Sequence, residues 1–374
     1  MNKQLLHTPE GVRDIYGEEY ARKLSVETVM KNKINSYGYE DIQTPTFEFF
    51  DVFSREVGTT PSRELYKFFD KEGNTLVLRP DFTPSIARCA AKYFMEEQIP
   101  MRFSYMGNTF TNTSNLQGKL KEVTQMGAEL INDASVEADA EMISLVIEAL
   151  KCTGLENFRI SIGEMEYFKG LCEEAGLDAE TELALRECIS GKNYFATQEI
   201  LSARSVAEPY CSVLLKIADL FGDMRSLSEA RKMAGNPRSK AAVDRLEKLH
   251  EVLKLYGVEK YVSFDLGMLS KYNYYTGVIF KAYTYGIGDA VVKGGRYDDL
   301  LSHFGKAAPA IGFVVVIDDL MEALYGQRVK IPLSPSKTVI TYTSCDFAEK
   351  LTEARQLRGQ GKAVELIPER TVDE

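Results

Sequence analysis

The chain predicts an α+β fold: one antiparallel sheet flanked by helices, with a helical insert and a short C-terminal strand–helix–strand unit. Three observations carry this. Residues 101–131, MRFSYMGNTFTNTSNLQGKLKEVTQMGAELI, read as a long hairpin: an alternating run from Phe103 to Thr109, a polar loop from Asn112 to Gly118, and a second run from Lys121 to Ile131 with Val123, Met126, Ala128 and Leu130 as its apolar positions. Residues 166–256 are mostly helix-patterned, while strand patterns lie on either side. Beyond Lys330, TVITYTSCDFAEKLTEARQLRGQGKAVELI reads strand, helix, strand. The expected organisation is therefore a domain over residues 1–325, its insert at about 166–256, and a partial α/β unit at 331–374.

In order along the chain, HTPEGVRD (His7 to Asp14) is a turn region entering a helix from about Glu18 to Tyr37, whose apolar positions Ala21, Leu24, Val26, Val29 and Ile34 recur at helical spacing and which Gly38 stops. Tyr39 to Thr44 reads as a strand that Pro45 confines to an edge. Leu65 to Phe69 and Thr75 to Leu78 form a hairpin about Glu72-Gly73-Asn74. LRPDFTPSIAR then ends a strand and opens a helix with Pro84 in its first turn. ASVEADAEMISLVIEALKC is a helix whose apolar stripe of Met142, Ile143, Val146, Ile147 and Leu150 is preceded one turn earlier, on the same face, by Asp139. FRISIG is a strand, and the helical insert is punctuated by Gly176, Gly191 and the GNP at Gly235 to Pro237. Strand patterns return with YVSFDLGMLSKYNYYTGVIFKAYT. KGGRYDDLL reads as a glycine turn, and PAIGFVVVIDDLMEAL as a strand running into a helix.

Bulk properties narrow the function. The 374 residues suffice for two or three domains, and 44% hydrophobic with 27% charged residues is ordinary for a soluble globular chain. No apolar run nears the 18 residues of a membrane span, and the N-terminus lacks the apolar core of a secretion signal. Six scattered cysteines without a C-x-x-C read as reduced thiols of a cytoplasmic protein, and three histidines leave little room for a metal centre. No cofactor is expected. A net charge of −10 without a local basic patch opposes binding to a polyanion such as tRNA.

Four blocks carry a resemblance. YMGNTFTNT followed by QGKLKEVTQMGAEL is similar to the second signature hairpin of the histidyl-type class II aminoacyl-tRNA synthetases, keeping Tyr105, Gly107, Phe110, Gly118, Glu122, Gln125, Gly127 and Glu129. LRPDFT resembles a block whose acid and threonine hold the substrate α-amino group; they fall on Asp81 and Thr83, and a plain helix-cap role for Asp81 is compatible. Tyr274-Tyr275-Thr276-Gly277 resembles the family's wall around the histidine side chain, although two strand aromatics would look the same. PAIGFVVVIDDLMEAL resembles the third signature. The C-terminal unit looks like the start of an anticodon-binding domain.

The same alignment implies lost chemistry. The family's arginines fall on Thr111, Ser270 and Asp319, its aspartate on Asn273, its glutamates on Thr113 and Lys281, a glycine on Val316, and two loop arginines on Lys119 and Lys121. Threonine, serine and aspartate cannot grip a triphosphate as a guanidinium does. A synthetase fold that keeps an amino-acid pocket without adenylation groups resembles the regulatory subunits of short-form ATP phosphoribosyltransferase. That resemblance implies a non-enzymatic subunit of histidine biosynthesis, paired with a separate catalytic subunit in a hetero-octamer. The long helix from about Glu18 to Tyr37, followed by the strand Tyr39 to Thr44 and Pro45, resembles the family's first signature, which implies a dimer through that stretch, and histidine is implied as feedback effector. The expected contacts are Glu129 and Tyr274 to the imidazole, Tyr275 in the wall, and Asp81, Thr83 and Gln125 near the α-amino group. Lys119 or Lys121 would meet the carboxylate. Two alternatives stay open: a histidine–tRNA ligase with displaced catalytic groups, and a stand-alone histidine-binding regulator.

Overall fold

The computed structural model describes residues 6–53, 60–113, 120–270, 274–333 and 337–369. It forms two compact units, one of Met1–Asp14 with Glu27–Val329, the other of Ile15–Val26 with Lys330–Glu374.

Helix α1 (Gly17–Asn35) has Glu18 and Glu19 in its first turn and Lys33 in its last, each matched to the helix dipole. Gly38, at a φ of 84°, then turns the chain. The edge strand β1 (Glu40–Asp41) is shorter than its sequence pattern. Strands β2 (Phe47–Phe49), β3 (Lys67–Phe69) and β4 (Thr75–Leu78) make a small sheet in the order β2-β4-β3. The expected hairpin is β3–β4, closed where the Asp70 carboxylate accepts from the Asn74 amide at 2.8 Å. Helix α2 (Thr83–Tyr93) follows, with Pro84 in its first turn.

Strands β5 (Met101–Phe110) and β6 (Glu122–Ile131) are the long hairpin, in register from Met101 opposite Ile131 to Phe110 opposite Glu122. Most of its loop lies outside the described residues. Helix α3 (Val136–Cys152) starts at Ser135, whose side chain accepts from the Ala138 amide. After β7 (Phe158–Glu164) come α4 (Met165–Glu174), α5 (Ala179–Ser190), α6 (Tyr194–Ala203), α7 (Glu208–Lys216), the short β8 (Phe221–Gly222), α8 (Met224–Met233) and α9 (Pro237–Leu255). Side chains of Asp178, Asn193, Asp223 and Asn236 cap α5, α6, α8 and α9, so the insert is punctuated at its N-caps as well as at its glycines. The chain then supplies β9 (Val262–Asp265), β10 (Val278–Thr284), β11 (Val292–Arg296), β12 (Ala310–Val316) and α10 (Ile317–Gly326).

These strands form one nine-stranded sheet, β1-β5-β6-β12-β11-β10-β7-β9-β8. It is mixed rather than antiparallel throughout, because β1 pairs with β5, and β7 with β9, in parallel. Parallel neighbours need a crossover, and the helical insert is the crossover from β7 to β9. A second correction concerns Gly294 and Gly295, which lie inside β11 rather than in a turn, neither at positive φ. One face of the sheet is covered by α2 and the turn at residues 300–304, in a core of Phe82, Ile86, Phe103, Tyr105, Ile131, Leu300 and Leu301. Helix α3 covers the other face, with Met142, Ile143, Val146, Ile147 and Leu150 fully buried. Each such side chain contributes about 1.5–3 kcal/mol by leaving water.

In the second unit, β13 (Thr338–Tyr342), α11 (Phe347–Gly359) and β14 (Val364–Pro368) form the expected strand–helix–strand, with the strands parallel. The Ser25 hydroxyl donates to the Pro332 carbonyl at 2.8 Å.

Candidate functional site

Register across the sheet places the site. Phe103 of β5, Glu129 of β6, Gly312 of β12, Gly295 of β11, Ile279 of β10 and Gly163 of β7 lie in one row. Neighbours in such a row share a face. Glu129 thus projects beside two strands whose row residues have no side chain. A Cβ on Gly312 would sit 1.5 Å from Glu129 Oε2, and one on Gly295 would sit 2.7 Å from the Tyr275 ring. The glycines are there for close approach. They open a small cleft lined by Asp81, Thr83, Glu129, Tyr274, Tyr275, Lys293 and Tyr297 over Gly295, Gly312 and Val314.

Glu129 is 1% exposed and held on both oxygens. Oε1 accepts from the Thr83 hydroxyl at 2.9 Å, and Oε2 accepts from the Tyr297 hydroxyl. Burial pushes its carboxyl up to about 8, against the lowering effect of these two hydrogen bonds and with a further upward push from Asp81. A carboxyl poised there shares a proton readily with an imidazole or an amine. Asp81 accepts from the Thr83 amide at 3.1 Å, so it steadies the start of α2 while its charge faces the cleft. Tyr274 and Tyr275 lie ahead of β10, not within it, with ring centroids 4.5 Å apart. Tyr274 meets Tyr297 edge-on at 6.1 Å. Burial raises the hydroxyls of Tyr105, Tyr274 and Tyr297 well above their ordinary value, so all three stay neutral donors. Five of the predicted residues therefore meet in one cleft: Asp81, Thr83, Glu129, Tyr274 and Tyr275.

The histidyl-tRNA synthetase family model matches residues 11–320 of this chain. The ATP phosphoribosyltransferase regulatory subunit of Acetivibrio thermocellus is 40% identical over 361 residues, 96% of this chain and 86% of that one. That of Ruminiclostridium cellulolyticum is 39% identical over 98% of this chain and 88% of its own. The chain belongs to the ATP phosphoribosyltransferase regulatory subunit family. A solved structure from Bacillus halodurans C, described as an ATP phosphoribosyltransferase regulatory subunit/histidyl-tRNA synthetase, superposes with a TM-score of 0.89 at 34% identity, covering 99% of this chain and 94% of that one. The fold is that of the class II histidyl-tRNA synthetases.

Within this regulatory-subunit fold, two of the remaining predicted residues, Gln125 and Lys121, are described and do not line the cleft. Gln125 is on the same face of β6 as Glu129 but four residues, about 14 Å, along the strand. It aligns with Gly107 and Val316, and its Oε1 is buried with no hydrogen-bond partner among the described residues. Lys121 precedes β6, and its stem lies against Gly11. Lys119 and Asn273 are outside the described residues. Thr111 donates its amide to the Lys121 carbonyl at 2.9 Å, and Ser270 is buried with its amide on the Met165 sulfur. Asp319 stands in the first turn of α10, its carboxyl raised by burial. Sequence reasoning missed Tyr297 and Lys293. Both sit inside the KGGRYDDLL block, and their place in the cleft follows only from the pairing of β11 with β12.

Proposed function

We propose that this regulatory subunit senses histidine in the Glu129 cleft. In this reading the subunit is required for activity of the short-form catalytic subunit, and histidine bound in the cleft suppresses that activity. The observation that carries the reading is the buried Glu129 carboxyl, fixed by Thr83 and Tyr297 and shifted to about 8. Glu129 and Tyr274 meet the imidazole, with Tyr275 beside them. Asp81 and Thr83 face the α-amino group. The subunit itself carries out no adenylation, since Thr111, Ser270 and Asp319 stand where the synthetases place arginines and each lost donor removes a rate factor of ~10² or more. A net charge of −10 fits a subunit that does not take up tRNA. Self-association as a dimer within a hetero-octamer completes the proposal.

The test is phosphoribosyltransferase activity of the catalytic subunit from the same source, with and without this chain, under a histidine titration. Activity appears with the chain present, and histidine suppresses it. A coupling of about 1–3 kcal/mol corresponds to ~5–150-fold between the two states. Glu129→Ala abolishes the suppression. Unchanged inhibition in that variant would place the effector elsewhere. Histidine-dependent ATP–pyrophosphate exchange by the chain alone would restore the ligase reading.

A further inference from the structure

The cleft is electrostatically lopsided. Glu129 and Asp81 lie at one end, and Lys293 is the single basic residue among those described in its lining. Lys293 is on β11 two residues before Gly295 and on the same face, opposite Val314 of β12 and Lys281 of β10. From Glu129 it is two strands across and two residues along, roughly 12 Å between Cα atoms at ~4.8 Å per strand and ~3.4 Å per residue. Glu129 and Lys293 line the space from opposite ends of this diagonal, which suits a ligand carrying a basic group and an acidic group at opposite ends. The Lys293 side chain is 40% exposed, and its Nζ donates to Asp289 Oδ2 at 2.7 Å. An exposed pair of this kind contributes little, so a ligand carboxylate in the more enclosed cleft can take over the ammonium. Its positive charge also draws down the neighbouring Asp319 carboxyl.

We infer that Lys293 receives the ligand's α-carboxylate, and that it makes the cleft select an amino acid over the amine or amino alcohol of the same side chain. This rests on the histidine reading above and adds the group that reads the acid end. Serine stands at position 270 where the resemblance places an arginine, and Lys293 supplies a cation to the cleft from β11.

Calorimetric titration of the full chain with L-histidine and with L-histidinol, which has an alcohol in place of the carboxylate, tests it. Wild type prefers histidine by about tenfold or more, the range of one charge-assisted hydrogen bond. Lys293→Met binds histidinol as wild type does and loses the preference; Lys293→Arg keeps it. A Lys293→Met chain that still prefers histidine overturns the inference and leaves the proposed function standing. One that has lost both ligands also overturns it, because the lysine would then hold the cleft's shape rather than read a carboxylate. A wild-type chain that binds neither ligand removes the histidine reading itself.

Discussion

At Gly312 a single hydrogen in place of a methyl group makes room for Glu129. Strand geometry forces the two residues side by side, and the carboxyl leans over the glycine backbone. Gly312→Ala would push Glu129 out of its bonds to Thr83 and Tyr297. The expected result is a loss of about 1–3 kcal/mol in urea unfolding and loss of histidine binding. A variant that keeps wild-type histidine affinity would show that the Glu129 position does not matter for recognition. At this scale the sequence was legible where chemistry sits in a compact block: LRPDFT, the end of the long hairpin, and Tyr274-Tyr275. It was not legible for Tyr297 and Lys293. Adjacent glycines read locally as a turn, and only pairing with a strand beginning at Ala310 shows that they are extended and that their neighbours face the cleft.

Among the elements, α3 shows how a break in a pattern is resolved by tertiary structure. Asp139 stands one turn ahead of the apolar stripe, on the same face, and is fully buried. Its Oδ1 accepts from Arg296 Nε at 2.9 Å and Nη2 at 2.6 Å, and its Oδ2 accepts from Arg245 Nε at 2.8 Å. One carboxylate therefore ties α3, the end of β11 and the insert helix α9 together. Asp139→Ala would take from Arg296, 3% exposed, the carboxylate that accepts from both its Nε and Nη2, and should cost about 3–5 kcal/mol in denaturant unfolding. A cost below about 1 kcal/mol would mean that Asp133, Ser135 and Asp298, which also accept from Arg296, suffice. The helix was readable from periodicity and its cap, whereas the arginine partners, 106 and 157 residues away, were not.

For the whole molecule, two buried acids are the carboxyls raised as far as about 8 and contribute most to the response to pH near neutrality. Glu129 and Glu164 are both about 1% exposed and both raised by burial from 4.5 to about 8. Glu164 Oε1 accepts from the Glu166 amide, and Oε2 has no hydrogen-bond partner among the described residues. Between 4.5 and 8 the folded chain keeps protons that the unfolded chain has released, so stability falls as pH rises through that window, by about 1.4 kcal/mol per unit for each group. His250, lowered by burial, works the other way below its ordinary 6.5, which leaves the interval above 6.5 as the clean one. Acids with lowered values, such as Asp178 and Asp223, are already ionised there. The urea midpoint should fall between pH ~6.5 and ~8, and Glu164→Gln should make the slope shallower. A flat profile in wild type would mean that both acids are ionised throughout. The α+β class and the helical insert were visible in the sequence at this scale. The parallel pairs at β1/β5 and β7/β9 were not, since strand order depends on connections rather than composition.

The place of β12 between β6 and β11 has a consequence for synthesis. The cleft draws on residues from Asp81 to Val314, and its floor closes only when β12 slots between strands made much earlier. A chain still on the ribosome carries no site until β12 has emerged. A product truncated before Gly312 lacks the floor of the cleft altogether. Such pairing between distant segments is also the slow part of folding. Newly made subunits therefore complete the cleft late, after nearly the whole polypeptide is free to fold.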